Sequence, residues 1–122
     1  MTAIELSKRS QGKINAYSLH PGVINTNLMH KGVVPEGLKQ SALFDADEKP
    51  HDNDTFRWKT IPQGAATTIT AAFDRSLNDK PGAYLDNSAV ANETIAPHAS
   101  DPASTEKLWS VTEKIIGETF TF

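Results

Sequence analysis

The sequence predicts an α/β fold that is incomplete on its own, and three observations carry this prediction. Residues 14–19, "INAYSL", are apolar on both faces, which is typical of a covered strand in a parallel sheet. Helical patterns flank this strand at residues 2–9 and 60–77, as in a crossover unit. Only two strands are predicted, too few for an independently stable sheet. We therefore expect residues 1–122 to form part of a single domain.

The first helix is predicted from Thr2 to about Arg9. Lys8 and Arg9 suit the negative end of a helix dipole, and Gly12 can adopt the left-handed conformation that ends a helix. The helix is too short to be stable alone. We expect it to be the end of a longer helix.

Residues 27–59 form a long connection that is broken by Gly and Pro and contains the polar run "DADEKPHDND". Connections of this length inside a compact domain are usually lids, binding loops or disordered segments. The apolar residues of the segment come early, where a short helix could fold over a ligand. They are Leu28, Met29, Val33, Val34, Leu38, Leu43 and Phe44.

The clearest helix is predicted from Thr60 to Leu77. Thr60 and Gln63 match a capping box, and Pro62 is tolerated in the first turn. The apolar stripe expected to face the core comprises Ala65, Ala66, Ile69, Ala72, Phe73 and Leu77.

A second strand, "AYLD" at residues 83–86, follows a turn at Pro81-Gly82, and residues 96–100 are predicted to be loop. The last helix begins with Asp101 as N-cap and Pro102 in the first turn. Its expected inner stripe comprises Leu108, Val111 and Ile115, with Trp109 and Ile116 beside it.

Composition excludes several classes of function. The formal net charge is −3 and no basic stripe is present, which argues against nucleic-acid binding. The chain has no cysteine, so disulfides, thiolate nucleophiles and cysteine zinc sites are excluded. No apolar run is long enough for a signal peptide or a membrane span, and a cytoplasmic location is the default.

No metal site is predicted. The four histidines lack the spacing of metal ligands. The acidic run at residues 45–54 lacks the glycine of an EF-hand loop, where Lys49 and Pro50 stand instead. A solvated acidic loop explains this run better.

The first strand meets His20-Pro21-Gly22 at its carboxyl end, where open α/β sheets bind ligands. Pro21 lacks an N–H and stops the strand ladder, while Gly22 lets a flat ring approach the backbone. The main-chain groups that follow could bind a carboxamide, and Thr26 offers a hydroxyl. A plain strand-ending turn is the alternative, with His20 in a structural role.

The segment "INAYSLHPGVINTNL" resembles the strand and Pro-Gly corner of the short-chain dehydrogenases/reductases, within the retinol-dehydrogenase-like group. "AIELSKR" resembles the end of the family's helix that follows the catalytic tyrosine and lysine. "KTIPQGAATTITAAFD" resembles the helix after the substrate loop, "GAYLDN" the last strand, and "ASDPASTEKLWSVTEKIIG" the closing helix.

The resemblance implies the C-terminal part of a Rossmann-type, doubly wound parallel sheet and an oxidoreductase that uses NAD or NADP. It assigns Pro21, Gly22, Val23 and Thr26 to the nicotinamide end of the cofactor. It assigns the segment from about Leu28 to Phe44, with Met29, Val33 and Leu38, to the substrate lid. The implied substrate is a small carbonyl compound or alcohol, and the lid's apolar residues hint at a lipophilic one.

Two parts of the family's chemistry are missing from the sequence. No glycines stand at the spacing of a phosphate-binding loop. The family's Tyr-x-x-x-Lys pair is also absent, because Tyr17 is followed four residues later by Pro21 and Tyr84 by Ser88. We therefore assign no catalytic residue, and we expect the chain to begin after those residues and to be inactive alone, with weak or no cofactor binding.

Two other interpretations remain open. The chain could be a non-catalytic interaction module that docks on a full-length subunit, or it could be an incomplete gene record. In each case its apolar helix faces and its strand would lack their usual neighbours. We expect the isolated chain to fold poorly, to associate with itself or to need a partner.

Overall fold

The computed structural model describes residues 1–26, 43–45, 47, 49–53 and 57–122. Within these ranges the chain alternates helices and short strands. In chain order the elements are α1 (Thr2–Arg9), β1 (Ser18–His20), α2 (Ile61–Phe73), β2 (Tyr84–Asp86), β3 (Ala89–Val90), α3 (Pro97–Ser100) and α4 (Pro102–Ile116), with 3-10 turns at Arg75–Leu77 and Asn92–Thr94.

The three strands form one mixed sheet in the order β1-β2-β3. β1 and β2 are parallel, with Ser18 opposite Tyr84 and His20 opposite Asp86. β2 and β3 are antiparallel. The predicted α/β class is confirmed, and the parallel pair is consistent with part of a Rossmann-type sheet. That the fold is incomplete stays a prediction.

Strand β3 was not predicted from the sequence. It forms a hairpin with β2 through Asn87 and Ser88, whose φ angles are both positive, at 52° and 63°. Two left-handed residues in a two-residue turn are typical of a type I′ hairpin. The sequence signal is weak because Asn-Ser stands where Asn-Gly would be the strong signature.

Strand β1 is shorter than predicted, spanning Ser18–His20 instead of residues 14–19. The backbone before β1 forms hydrogen bonds with two serine side chains, one in α1 and one just after it. Ser7 Oγ accepts the Ala16 N–H at 2.9 Å, and Ser10 Oγ accepts the Ile14 N–H at 3.1 Å. Ile14 is 38% exposed within this chain.

Helix α2 begins as predicted and ends early. Thr60 and Gln63 form the reciprocal capping box. The helix ends at Phe73 because Asp74 is extended and its carboxylate accepts the Ser76 N–H, which starts the 3-10 turn. Leu77, the predicted helix end, is buried in that turn.

The apolar stripes predicted to face the core are largely exposed within this chain. In α2, Phe73 is 76% exposed, and the buried residues are Gly64 and Thr67. In α4, Ile115 is 79% exposed, whereas Trp109 is buried. The contacts therefore use the small and polar side of α2.

Helices α1 and α4 pack against each other around a buried carboxylate. Glu5 is 1% exposed, and its Oε1 lies 2.7 Å from Arg9 Nε. The Thr105 hydroxyl of α4 donates to the Pro102 carbonyl at 2.8 Å and lies 3.4 Å from Glu5 Oε2. Arg9 in turn lies over the Trp109 ring, 5.3 Å from its centroid. This network attaches α4 to α1.

Residues 97–100 form the short helix α3, so the loop predicted at residues 96–100 was wrong. Helix α4 begins as predicted, with Asp101 accepting the Ser104 N–H at 2.7 Å. It ends at Gly117, whose φ is +79°. In the described part of the chain, no helix has the length and apolarity to cross a membrane.

Candidate functional site

The candidate site is a cleft of about 870 Å³ at the carboxyl edge of the parallel strands, bounded on one side by the first turns of α2. Its walls come from the ends of β1 and β2, from the β2–β3 turn and from the residues leading into α2. The lining residues are His20, Gly22, Val23, Arg57, Trp58, Lys59, Gln63, Ala66, Asp86, Asn87 and Ser88. Ligands bind at this edge in open α/β sheets.

The floor of the cleft is the predicted Pro-Gly corner. Gly22 has a φ of +85°, a conformation that favours glycine. The chain then pairs briefly with the segment before α2, where the Lys59 N–H donates to the Val23 carbonyl at 2.9 Å. Ile24 and Lys59 form an isolated parallel bridge there. The corner is thus tied to the base of α2.

The Lys59 side chain lies across Gly22. A Cβ on Gly22 would stand 2.6 Å from Lys59 Cδ and Cε, so a side chain there would require the lysine to shift. Lys59 Nζ donates to the Pro21 carbonyl at 3.4 Å. The face of Gly22 that was predicted to admit a flat ring is therefore covered by the lysine stem in this structure.

His20 and Asp86 face each other at the ends of the two parallel strands. They are register partners, and His20 Nδ1 lies 3.7 Å from Asp86 Oδ1. Both are partly exposed to the cleft, at 54% and 35% of their side-chain surface. The pair is an ion pair only when the imidazole is protonated. His20 therefore both lines the cleft and has a structural partner.

Thr67 of α2 holds the β2–β3 turn, which forms one wall of the cleft. It is fully buried, and its hydroxyl accepts the Ser88 N–H at 3.2 Å. The Ser88 hydroxyl lies 3.5 Å from the same oxygen. These contacts attach the β2–β3 turn to α2 and place Ser88 in the cleft wall.

The predicted cofactor residues divide into two groups. Gly22 and Val23 line the cleft, and Pro21 contributes its carbonyl to Lys59. Thr26 is described by the structure but does not line this cleft. Cofactor binding by these four residues stays a prediction.

Of the predicted substrate-loop residues, only Phe44 can be placed. It lies edge-on to Trp58, with the ring centroids 5.5 Å apart and an interplanar angle of 70°. The Trp58 indole N–H donates to the Leu43 carbonyl at 3.0 Å. Trp58 therefore holds this segment beside the cleft that it lines. Four predicted loop residues lie outside the described residues: Leu28, Met29, Val33 and Leu38.

The acidic run forms a turn. Asp45 Oδ1 accepts the N–H groups of Asp47 and Lys49, both at 2.9 Å. His51 donates its N–H to the Leu43 carbonyl at 3.0 Å, which closes the turn. Among the described residues, no three His, Cys, Asp or Glu side chains are grouped to hold a metal ion.

The residues of the cleft fit one end of a dinucleotide, provided that Lys59 moves. The volume exceeds that of a nicotinamide ring, and the corner offers main-chain groups to a carboxamide. The covering atoms at Gly22 are the distal part of a flexible side chain, so they can be displaced. No glycine loop for a pyrophosphate occurs in the sequence.

Sequence reasoning missed the residues from β2 and from the approach to α2. Asp86, Asn87 and Ser88 could have been found, because they follow a predicted strand and parallel strands share their carboxyl edge. Arg57 and Lys59 gave no comparable signal. Their position depends on the bridge between Ile24 and Lys59, which is a tertiary pairing.

Three curated proteins illustrate what the chain is similar to. It is 37% identical over 112 residues to short-chain dehydrogenase/reductase prx1 of Penicillium rubens, covering 84% of this chain and 31% of that protein. It is 36% identical over 104 residues to the chloroplastic short-chain dehydrogenase TIC 32 A of Brassica napus, covering 84% of this chain and 28% of that protein. Human retinol dehydrogenase 14 is 29% identical over 114 residues, covering 93% of this chain and 31% of that protein.

The chain thus spans about a third of the length of the curated relatives it matches, 31% for the first of them. No protein-family model matches it. No solved structure matches it significantly.

Proposed function

Because this chain is homologous to the short-chain dehydrogenases/reductases, we propose that it forms part of an NAD(P)-dependent oxidoreductase. The reaction is hydride transfer between the nicotinamide and a small carbonyl compound or alcohol. The observation that carries this proposal is the position of the Pro21-Gly22 corner, which borders a cleft at the carboxyl edge of two parallel strands.

The main-chain groups of Pro21, Gly22 and Val23 bind the carboxamide of the nicotinamide ring in this proposal, and Thr26 adds a hydroxyl. The bound cofactor supplies the hydride chemistry. Gly22 allows close approach once the Lys59 stem is displaced. Phe44 and Trp58 belong to the segment that covers the substrate and excludes water.

The group that transfers the proton is not among the residues of this chain. Tyr17 donates its hydroxyl to the Leu77 carbonyl at 2.6 Å, and no lysine follows it four residues later. In this proposal the Tyr-x-x-x-Lys pair and the glycine loop belong to another part of a longer protein. We therefore expect this chain alone to be inactive.

A second candidate function is a non-catalytic module that docks on a full-length subunit. The exposed apolar side chains of α2 and α4 favour it, since such surfaces are uncommon without a partner. Those more than half exposed are Ile61, Ile69, Phe73, Ile115 and Ile116.

Sequencing the messenger RNA that encodes this chain distinguishes the two proposed functions. An in-frame Tyr-x-x-x-Lys pair upstream of residue 1 supports the oxidoreductase, and its product should oxidise NADPH or NADH with a medium-chain aldehyde. A transcript that encodes only these 122 residues contradicts the oxidoreductase proposal for this chain and leaves the module.

A further inference from the structure

The charges in the cleft are unbalanced. Asp86 is the one carboxylate among its described lining residues, and it faces His20. Arg57 and Lys59 line the same cleft, and neither forms an ion pair with any described residue. Two permanent cations therefore face one carboxylate, in a chain whose formal net charge is −3. The charge of the described lining residues is therefore opposite in sign to that of the whole chain.

Two contacts hold Lys59 in place beside the cleft, one made by its backbone and one by its side chain. Its backbone N–H is fixed by the Val23 carbonyl at 2.9 Å, and its methylenes pack on Gly22. The residue is half-buried, and its side chain lies along the cleft wall. Among the described residues, its ammonium group has one weak acceptor, the Pro21 carbonyl at 3.4 Å. A lysine ammonium has three donors. The contact with the Pro21 carbonyl uses one of these donors.

Arg57 and Trp58 extend this surface. Arg57 is exposed, two residues before Lys59, and a guanidinium binds carboxylates through two parallel hydrogen bonds. Trp58 lies between the two cations in the chain and also lines the cleft, which adds an apolar wall. At the start of α2 the capping box already engages the Thr60 and Gln63 N–H groups.

We propose that this cleft recognises a substrate that carries a carboxylate, which Lys59 and Arg57 bind while the apolar part of the molecule contacts Trp58. The proposal rests on the proposed function, because it names the substrate class of the same cleft. Guanidinium and ammonium groups also bind phosphate, so inorganic phosphate is included as a competing probe in the test.

The test is a titration of the whole ¹⁵N-labelled chain, followed by NMR at the amides of Val23, Lys59 and Ser88. The probes are hexanoate, its neutral analogue hexanamide, and inorganic phosphate. We expect hexanoate to shift all three amides and to bind at least about tenfold more tightly than hexanamide, because one charged contact is worth about a factor of ten. Phosphate should bind more weakly than hexanoate.

Two variants make the assignment specific. Lys59→Met keeps a stem over Gly22 and removes the charge, so hexanoate should weaken about tenfold while hexanamide is unchanged. Arg57→Met changes an exposed side chain that has no ion-pair partner among the described residues, and it should also weaken hexanoate binding. Lys107→Met, on the exposed surface of α4, is the matched control and should change nothing.

Equal affinity for hexanoate and hexanamide would overturn the inference, as would unchanged hexanoate binding in both cleft variants. Tighter binding of phosphate than of hexanoate would also overturn it, because the cleft would then select a phosphate group. The proposed function is tested apart from this by nicotinamide mononucleotide. If that compound fails to shift Gly22 while hexanoate binding still depends on Lys59, the dehydrogenase assignment fails and the carboxylate site remains.

Discussion

Gly64 of α2 lies directly against Ile24, the residue that follows the Pro-Gly corner by two positions. A Cβ on Gly64 would come 2.6 Å from Ile24 Cγ1, closer than side chains pack. The absence of a side chain at Gly64 therefore sets the distance between α2 and the corner. Because the cleft lies between these two elements, this contact also sets its width.

Gly64→Ala tests this contact. Alanine favours the helix by about 1 kcal/mol over glycine, but the overlap with Ile24 costs about 1–3 kcal/mol. We expect a net loss of unfolding free energy, measured by urea denaturation. In an Ile24→Ala background the nearest remaining atom is Ile24 Cβ at 3.8 Å, so the same substitution should become stabilising. A loss of equal size in both backgrounds would refute the contact.

The buried carboxylate of Glu5 gives a second prediction. Glu5→Ala removes the partner of Arg9 and the contact of Glu5 with Thr105 of α4, whose hydroxyl keeps its bond to the Pro102 carbonyl. We expect a loss of about 2 kcal/mol, less than for a fully buried pair because Arg9 is one-third exposed and can be solvated. Glu106→Ala, on the exposed side of α4, should change the unfolding free energy by less than about 0.5 kcal/mol.

The N-cap of α4 predicts a dependence on pH. The side-chain hydrogen bond with Ser104, followed by that of the Ser104 backbone N–H, lowers the pKa of Asp101 below its usual 3.8. A depressed carboxyl pKa stabilises the fold above the unfolded pKa, and this stabilisation is lost as the pH falls through the folded value. Thermal unfolding midpoints should therefore decrease as the pH drops below about 4.

Asp101→Asn tests the effect of the Asp101 charge separately from the effect of its capping hydrogen bond. Asparagine caps helices about as well as aspartate but does not titrate. The variant should lose less stability on acidification than the native chain. Some dependence should remain, because the Ser76 N–H lowers the pKa of Asp74 and the Phe120 N–H lowers the pKa of Glu113. Identical pH profiles for the two proteins would show that the Asp101 charge does not contribute.

The exposed apolar side of α2 predicts association of the isolated chain. Ile69 and Phe73 are 56% and 76% exposed. Burying such side chains is worth about 1.5–3 kcal/mol each. We expect concentration-dependent sedimentation that is reduced by the double substitution Ile69→Ser and Phe73→Ser, with Thr68→Ser as control. A monodisperse monomer with a sharp two-state thermal transition would contradict this prediction.

Local signals in the sequence predicted the helix beginnings well. The capping box at Thr60 and Gln63 and the N-cap at Asp101 are interactions within four residues, and both are present in the structure. The face of α2 that makes contacts within this chain is not its apolar stripe. Gly64 faces Ile24 as the smallest residue of the helix, which no hydrophobic periodicity indicates.

Of the residues that line the cleft, the sequence predicted only those at the end of β1 and just after it. His20, Gly22 and Val23 follow a recognisable strand and do line the cleft. The placement of Lys59 over Gly22 was beyond sequence reasoning, since it depends on a pairing between residues 35 positions apart. Thr26 follows the corner in sequence but lies outside the cleft, because the chain has already turned to pair with Lys59 at Ile24.

The central claim is that this chain holds the nicotinamide end of a dinucleotide site without a pyrophosphate loop. The most direct test compares NAD⁺ with nicotinamide mononucleotide, which lacks the adenosine part, by NMR titration of the whole chain. Both should shift the amides of His20, Gly22 and Val23, with weak affinities that agree within about threefold, because no helix N-terminus with a glycine loop holds the pyrophosphate. Submicromolar NAD⁺ binding with far weaker mononucleotide binding, or no shift at this corner with either compound, would contradict the claim.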